Sequence, residues 1–317
     1  MSASLLVLCV AAFAMVAALS SGAVGAALPW LDRLAARIAP RHRVRLWLGM
    51  AALPTAVAAM ALLVSFLPAL GLGHDHCLSH GAHHPHLCPH HVGSGPGIVL
   101  VAVALYFAGR VVTVGVGLVR ALRLCATTSR ALVEASEVRG DVHVFPSDQP
   151  QAFVLGVLRA RVHVSCGLLA MGPEVVGPVL AHERVHARRR HLLWRAMCPV
   201  LAVGHLPAVA SALRSRLAAA QESAADVEAA ETLVGGRIRV AEAIVRLARQ
   251  AHARSPGLAF THGDIEARVR ALLDDRTPHP AWLARALLLG GLAVPVAVAS
   301  AYDFIHHGLE TLLGALS

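Results

Sequence analysis

Residues 181–191 read AHERVHARRRH. His182 and His186 are four positions apart, which on a helix sets them one turn apart on the same face. Two imidazoles so placed can address one metal ion from the same side. Glu183 is turned about 100° from His182, so it faces a water beside the ion rather than the ion itself. The His-Glu-x-x-His pattern on a helix thus suits metal-assisted hydrolysis, with two imidazole ligands and a carboxylate base. The chain holds 20 histidines, so chance also produces such a pattern, and the surroundings must decide.

A catalytic zinc takes three protein ligands and keeps its fourth position open. Residues 211–232 are rich in alanine and other helix formers, and they carry Glu222 and Asp226 at the same i, i+4 spacing. Glu222 offers a carboxylate ligand, and Asp226 a hydrogen-bond acceptor for a ligand histidine. A solvated acidic pair is the plainer alternative. Upstream of the motif, 142–145 (VHVF), 151–156 (QAFVLG) and 161–166 (RVHVSC) alternate like strands. If 161–166 is an edge strand, an extended peptide can pair with it. From Gly172 onward, Val175, Val176, Val179, Leu180 and Val185 form the apolar stripe of a helix that runs through the motif. An oxyanion donor is also required, and His143, His163, His205 and several arginines are candidates. Arg188, Arg189 and Arg190 read as a solvated or lipid-facing helix surface.

The setting for these elements is a bilayer. The chain of 317 residues is 56% hydrophobic and 15% charged, with a mean hydropathy of +0.61. No charged side chain occurs in 1–31, 46–74, 76–109 or 286–302, and a span needs about 20 apolar residues. The expected layout is a first transmembrane helix at 1–30, a basic cytoplasmic loop at 31–45 and a second helix at 46–73. An extracytoplasmic loop at 74–95 and a third helix at 96–118 follow. A domain at 119–281, a fourth helix at 282–302 and an outer tail at 303–317 complete it. Arg110, inside the third span, is expected to snorkel to the headgroups. Residues 1–27 read as a retained helix rather than a cleaved signal, because no basic segment precedes the apolar run. Every basic residue is arginine, and arginine follows spans one and three but not two and four. The positive-inside rule then places both termini outside and 119–281 in the cytoplasm. The net charge of +9 reflects this topology and contact with the lipid bilayer. With 4% aromatic residues and no recognisable binding module, no direct nucleic-acid partner is expected.

The outer loop carries His74, His76, His80, His83, His84, His86, His90 and His91, with Cys77 and Cys88 framing its centre. Such a tract reads as a second metal site for Zn, Cu or Ni. Outside the cytoplasm the two cysteines can form a disulfide. A polar connector without a dedicated ligand is the alternative.

The run FVLGVLRARVHVSCGLLAMGPEVVGPVLAHERVHARRRH, with GHLP at 204–207, ESAAD at 222–226 and THGDIEARVRALLDD at 261–275, resembles the membrane gluzincin metallopeptidases of the BlaR/MecR β-lactam-receptor family. The likeness covers about 140–280 closely and the whole chain by layout. It implies a mainly α membrane protein: four transmembrane helices, with a cytoplasmic α+β zincin-like (gluzincin) metallopeptidase domain between helices 3 and 4. It also implies one catalytic Zn2+ on His182, His186 and Glu222, Glu183 as general base, and Asp226 behind a ligand histidine. By the same likeness the location is a bacterial inner or plasma membrane. The expected substrate is a cytoplasmic or membrane protein, with cleavage of a transcriptional repressor in signalling favoured over membrane-protein quality control. A non-catalytic metal-binding sensor or scaffold is the rival of another class. The β-lactam receptors carry a penicillin-binding domain after the fourth span, where this chain has 303–317, so β-lactam sensing is not expected.

Overall fold

The computed structural model describes residues 3–66, 96–254, 262–274 and 281–301, with 304, 308, 311 and 313–316 beyond them. Three long helices, α1 (Ala3–Ala35), α2 (Pro40–Ser65) and α3 (Ile98–Glu134), are long and apolar enough to cross a membrane. The segment Ala281–Ser300, the last long helix (α10), packs against α2. The basic connection expected at 31–45 is mostly helical, and only 36–39 separates α1 from α2. Pro40 starts α2 because its missing N–H falls where a first-turn donor has no intrahelical partner. Helix α3 continues to Glu134, 37 residues in all. That is about 55 Å of helix, well beyond the ~30 Å hydrocarbon layer, so its last turns extend toward the sheet.

The sheet contains β1 (Glu137–Arg139), β2 (Val142–Phe145), β3 (Ala152–Leu155) and β4 (Arg161–Ser165), in the order β1-β2-β4-β3. Strand β4 is therefore not an edge: it pairs parallel with β2 and antiparallel with β3. Gly156 explains why. Its φ of 94° lets the chain turn tightly, and a Cβ there would lie 2.2 Å from the Arg159 carbonyl oxygen. The returning strand thus closes one side of β4 and leaves β3, half-buried, as one border of the sheet, with β1 at the other. Strand β1, three exposed residues with no apolar alternation, left no mark in the sequence pattern.

Val142, Val144, Val162 and Val164 line one face of the sheet. They pack with Leu168 of α4 (Cys166–Leu169), Val175 of α5 (Pro173–Arg188) and Ala243 of α8 (Gly236–Arg254). On the opposite face His163 is stacked between His143 and Phe153, at centroid distances of 5.0 and 5.9 Å. His163 is fully buried, so both histidines serve the sheet.

The helical part of the domain is fastened to the long helices by a hairpin. Helix α6 (His191–Leu201), a 3-10 turn at Ala202–Gly204 and α7 (Pro207–Glu231) pack with α1 and α2 around Leu28, Leu31, Trp47, Ala51, Leu213 and Leu217. At the turn, buried His205 donates from Nε2 to the Met50 carbonyl (3.0 Å) and accepts at Nδ1 from Ser21 (3.1 Å). Ser21 Oγ in turn accepts from the Leu206 N–H. Gly204 permits this approach: a Cβ there would lie 2.9 Å from Thr55 Oγ1 and 3.3 Å from Ala17 Cβ. Arg110 donates to the Val203 carbonyl oxygen at 3.3 Å, so the turn engages the side chain expected to snorkel. Nearer the domain, Arg216 of α7 makes two hydrogen bonds to Asp32 of α1 (2.8 and 2.6 Å).

Candidate active site

Helix α5 buries Val175 and Val185, which turns the next part of its circumference, with His182 and His186, toward α7. Helix α7 buries a small-residue face (Ala220, Ala224, Ala225, Ala229), so the two helices approach closely. His182 Nε2 and His186 Nε2 are 3.0 Å apart, and Glu222 lies 3.4 Å from the first and 3.7 Å from the second. These three side chains form the one His/Cys/Asp/Glu group among the described residues whose ligand atoms lie within 4.8 Å of one another. Two imidazole nitrogens and a carboxylate oxygen, largely shielded but reachable, match the donor set of a three-ligand zinc centre.

The residues around this cluster fix its charge. His182 Nδ1 lies 2.9 Å from Asp226 Oδ1, and Asp226, only 2% exposed, also accepts two hydrogen bonds from Arg268 (2.8 and 2.7 Å). Arg268 belongs to α9 (His262–Leu273). On α6, Arg195 donates to Gln221 (2.7 Å) and to Glu222 (2.6 Å). His191, also on α6, meets His186 through a hydrogen bond between their Nδ1 atoms at 3.0 Å.

Burial acts to lower His182, but the carboxylates of Asp226 and Glu222, 2.9 and 3.4 Å away, outweigh it and raise the imidazole to about 9. Burial, with the charge of His182 close by, drives His186 down to about 3. Two imidazoles whose Nε2 atoms lie 3.0 Å apart cannot both be cationic, and the one backed by Asp226 takes the charge. Burial likewise lowers His191, helped by Arg195, to about 4. Burial alone would raise Glu222, yet its hydrogen bond to His182 and the charge of Arg268 hold it well below the carboxylate range. Glu183 goes the other way: burial pushes its carboxyl up, against the pull of His182. That is the direction a base working near neutrality needs.

A measurable pH dependence follows. With the His182 imidazole raised to about 9, zinc uptake is expected to displace a proton. At pH 7 the release should be about one proton per ion, with affinity rising roughly tenfold per pH unit until pH nears 9. In the metal-free protein the His182 ion pair stabilises the fold fully below about 6.5, and this contribution fades as pH rises through about 9. Indicator-dye titration with Zn2+ reads the proton directly. No release between pH 6 and 8 would mean that His182 is already neutral.

The other predicted positions separate clearly. Arg188 and Arg189 both pair with Glu228 of α7, and Arg190 forms the turn between α5 and α6 with φ 52°. Among the oxyanion candidates, His143 and His163 are taken by the sheet and His205 by the hairpin turn, whereas Arg195 and Arg268 stand at the cluster. The eight histidines of the outer loop, with Cys77 and Cys88, lie outside the described residues. His191, Arg195, Gln221 and Arg268 escaped the sequence reading. His191 lies five positions beyond His186, an offset of about 140° on a continuous helix. Only the left-handed turn at Arg190 brings His191 back over it.

Residues 122–276 match the model of peptidase family M48. No curated protein and no solved structure matches the chain. The matched segment runs from within α3 to just past α9, just under half of the chain, and contains every residue of the cluster; the match supports a metallopeptidase. Peptidases of this family are zinc-dependent, in agreement with the donor set. The match bears out the metallopeptidase reading and does not reach the likeness to the receptor peptidases.

Proposed function

We propose that this chain is a membrane-embedded zinc endopeptidase whose ion is held by His182, His186 and Glu222, with Glu183 as general base. The observation that carries this reading is the convergence of the three ligand atoms from α5 and α7 within 4.8 Å, inside a segment that matches a metallopeptidase family. When bound, zinc supplies a Lewis acid that activates water and polarises the scissile carbonyl. Glu183 takes the proton of the attacking water and returns it to the leaving amine. Asp226 steadies His182, and Arg268 keeps Asp226 ionised. The border strand β3, packed near α5, is the one on which an extended substrate segment can add by backbone hydrogen bonds.

The site sits at the cytoplasmic face of the bilayer in this proposal, within a domain at 119–281 flanked by four spans. The hairpin turn touches the middle of α1 and α2 through Ser21 and Met50. Glu222 lies 15 residues beyond Pro207 on α7, about 22 Å of helix. Half the hydrocarbon layer is about 15 Å, so a turn no deeper than the midplane leaves Glu222 beyond the hydrocarbon. The preferred substrate is a cytoplasmic protein segment reached at that surface, with regulatory cleavage, as of a repressor, favoured over quality control. The His-rich loop and its Cys77–Cys88 pair form a second, outer metal site that reports to the protease through spans two and three.

Two experiments test the reading. Protein N-termini in cells carrying wild type are compared with those in cells carrying Glu183→Gln, and the substrate appears as a new N-terminus present only with the wild type. For topology, a membrane-impermeant thiol reagent should label a cysteine introduced at Ser94 or Ser317 and spare one at Ala36 or Ala253. Labelling at 253 in intact cells would put the site outside.

A further inference from the structure

The two candidate ligand histidines are supported differently. His182 presents Nε2 to the cluster and Nδ1 to a charged carboxylate, Asp226, at 2.9 Å. His186 also presents Nε2 to the cluster, but the atom opposite its Nδ1 is Nδ1 of His191 at 3.0 Å. The two rings stand edge to face, with centroids 4.7 Å apart at 82°. His191 is 4% exposed, so water does not compete for this bond. It is also held from behind: its carbonyl oxygen accepts from Gln221 Nε2 at 3.2 Å, and Gln221 Oε1 accepts from Arg195 Nε at 2.7 Å. Gln221 is fully buried and directly precedes Glu222, so the position of His191 is tied to the helix that carries the third ligand. The left-handed turn at Arg190 (φ 52°, ψ 42°) is a conformation that an arginine adopts at some cost. It is what places His191 against His186 rather than on the far side of a continuous helix.

We propose that His191 is a positioning residue for the metal centre: its Nδ1 accepts the Nδ1–H of His186, which commits the Nε2 lone pair of His186 to the ion. This inference rests on the reading of His182, His186 and Glu222 as the ligand set. An imidazole without a fixed partner can carry its proton on either nitrogen, and half of those states point an N–H at the metal. A carboxylate behind one ligand and an imidazole behind the other make the pair unequal. His182 is the more basic donor, and His186 is set chiefly by orientation. No reading of the His-Glu-x-x-His spacing assigns a function to the residue five places after it.

The test uses the full chain, purified in detergent and stripped of metal, with zinc affinity read by competition against a chelator. His191→Phe keeps a ring of similar volume and removes the acceptor, and His191→Leu takes its place if the ring is not tolerated. His191→Asn keeps an acceptor oxygen near the same position. The acceptor-free variant should bind zinc roughly 10–100-fold more weakly, with a metal-free melting temperature close to that of wild type. The asparagine variant should recover most of the affinity. In the cobalt-substituted protein, the visible absorption should shift for the phenylalanine variant and return for the asparagine variant. If Phe or Leu binds zinc as tightly as histidine does, the proposal fails. It also fails if Asn loses as much affinity as Phe, since His191 then only fills space. His186→Ala, measured alongside, reads the underlying assignment separately. Unchanged zinc affinity in that variant would mean that the ligand set itself is wrong.

Discussion

Glu183→Gln should leave zinc binding intact and abolish the proposed peptidase activity. The substitution keeps the side chain's shape and removes the carboxylate proposed to carry the water proton, so cleavage should fall by about 10²–10⁴-fold, roughly what a general base contributes. Zinc content should not change, because Glu183 lies outside the His182–His186–Glu222 cluster. Stability should hold as well. The Glu183 carboxyl is already pushed toward its neutral form by burial, and a neutral amide suits that site at least as well. His182→Ala, His186→Ala and Glu222→Ala should each lose metal and activity together. The pairing of zinc assay and cleavage assay is what decides. Near-normal cleavage by Glu183→Gln would eliminate the assigned mechanism, and loss of zinc in that variant would make Glu183 a ligand.

The second large effect is one of stability. Arg268→Ala removes the guanidinium that makes two hydrogen bonds to Asp226 (2.8 and 2.7 Å), and Asp226 is buried. Removing one partner of a buried ion pair typically costs about 3–5 kcal/mol, because the other charge is left uncompensated. The lower end of that range is expected, since His182 remains beside Asp226 and the Arg268 side chain is 23% exposed. Zinc affinity should fall too, because a carboxylate without its arginine holds His182 less firmly. The double variant Asp226→Asn with Arg268→Ala should regain part of the lost stability, as the stranded charge is gone. Thermal or denaturant unfolding of the full chain in detergent measures this. A loss below about 1 kcal/mol in Arg268→Ala, typical of an ordinary surface substitution, would mean that α9 does not hold the site.

Local information carried much of the architecture. Alternating residues placed β2, β3 and β4 to within about a residue, because a half-buried strand shows its two faces at period two. The i, i+4 spacings of His182 with His186 and of Glu222 with Asp226 translated directly into shared helix faces, because a single helix determines them. What failed was whatever depends on a partner element. Strand β4 was open to reading as an edge because nothing within 161–166 records that β3 returns along its free side. Arg110 was expected to snorkel, and nothing near it in the chain records the Val203 carbonyl, 93 positions away, that accepts its hydrogen bond.

The same division runs through the site. By itself the sequence determined the chemistry available: which residue types, on which helix faces, next to which apolar segments. Periodicity and charge are properties of the chain before it folds. Only the tertiary structure decided that Glu222 reaches the two histidines, that Arg268 from α9 supports Asp226, and that the α6–α7 hairpin is pinned to Ser21 and Met50. It also decided that a left-handed residue at Arg190 turns His191 back onto His186. Each of these joins groups on separate elements, and their distance is set by how small residues such as Gly204, Ala220 and Ala224 let helices approach. That distance is a result of packing, so no spacing along the chain encodes it.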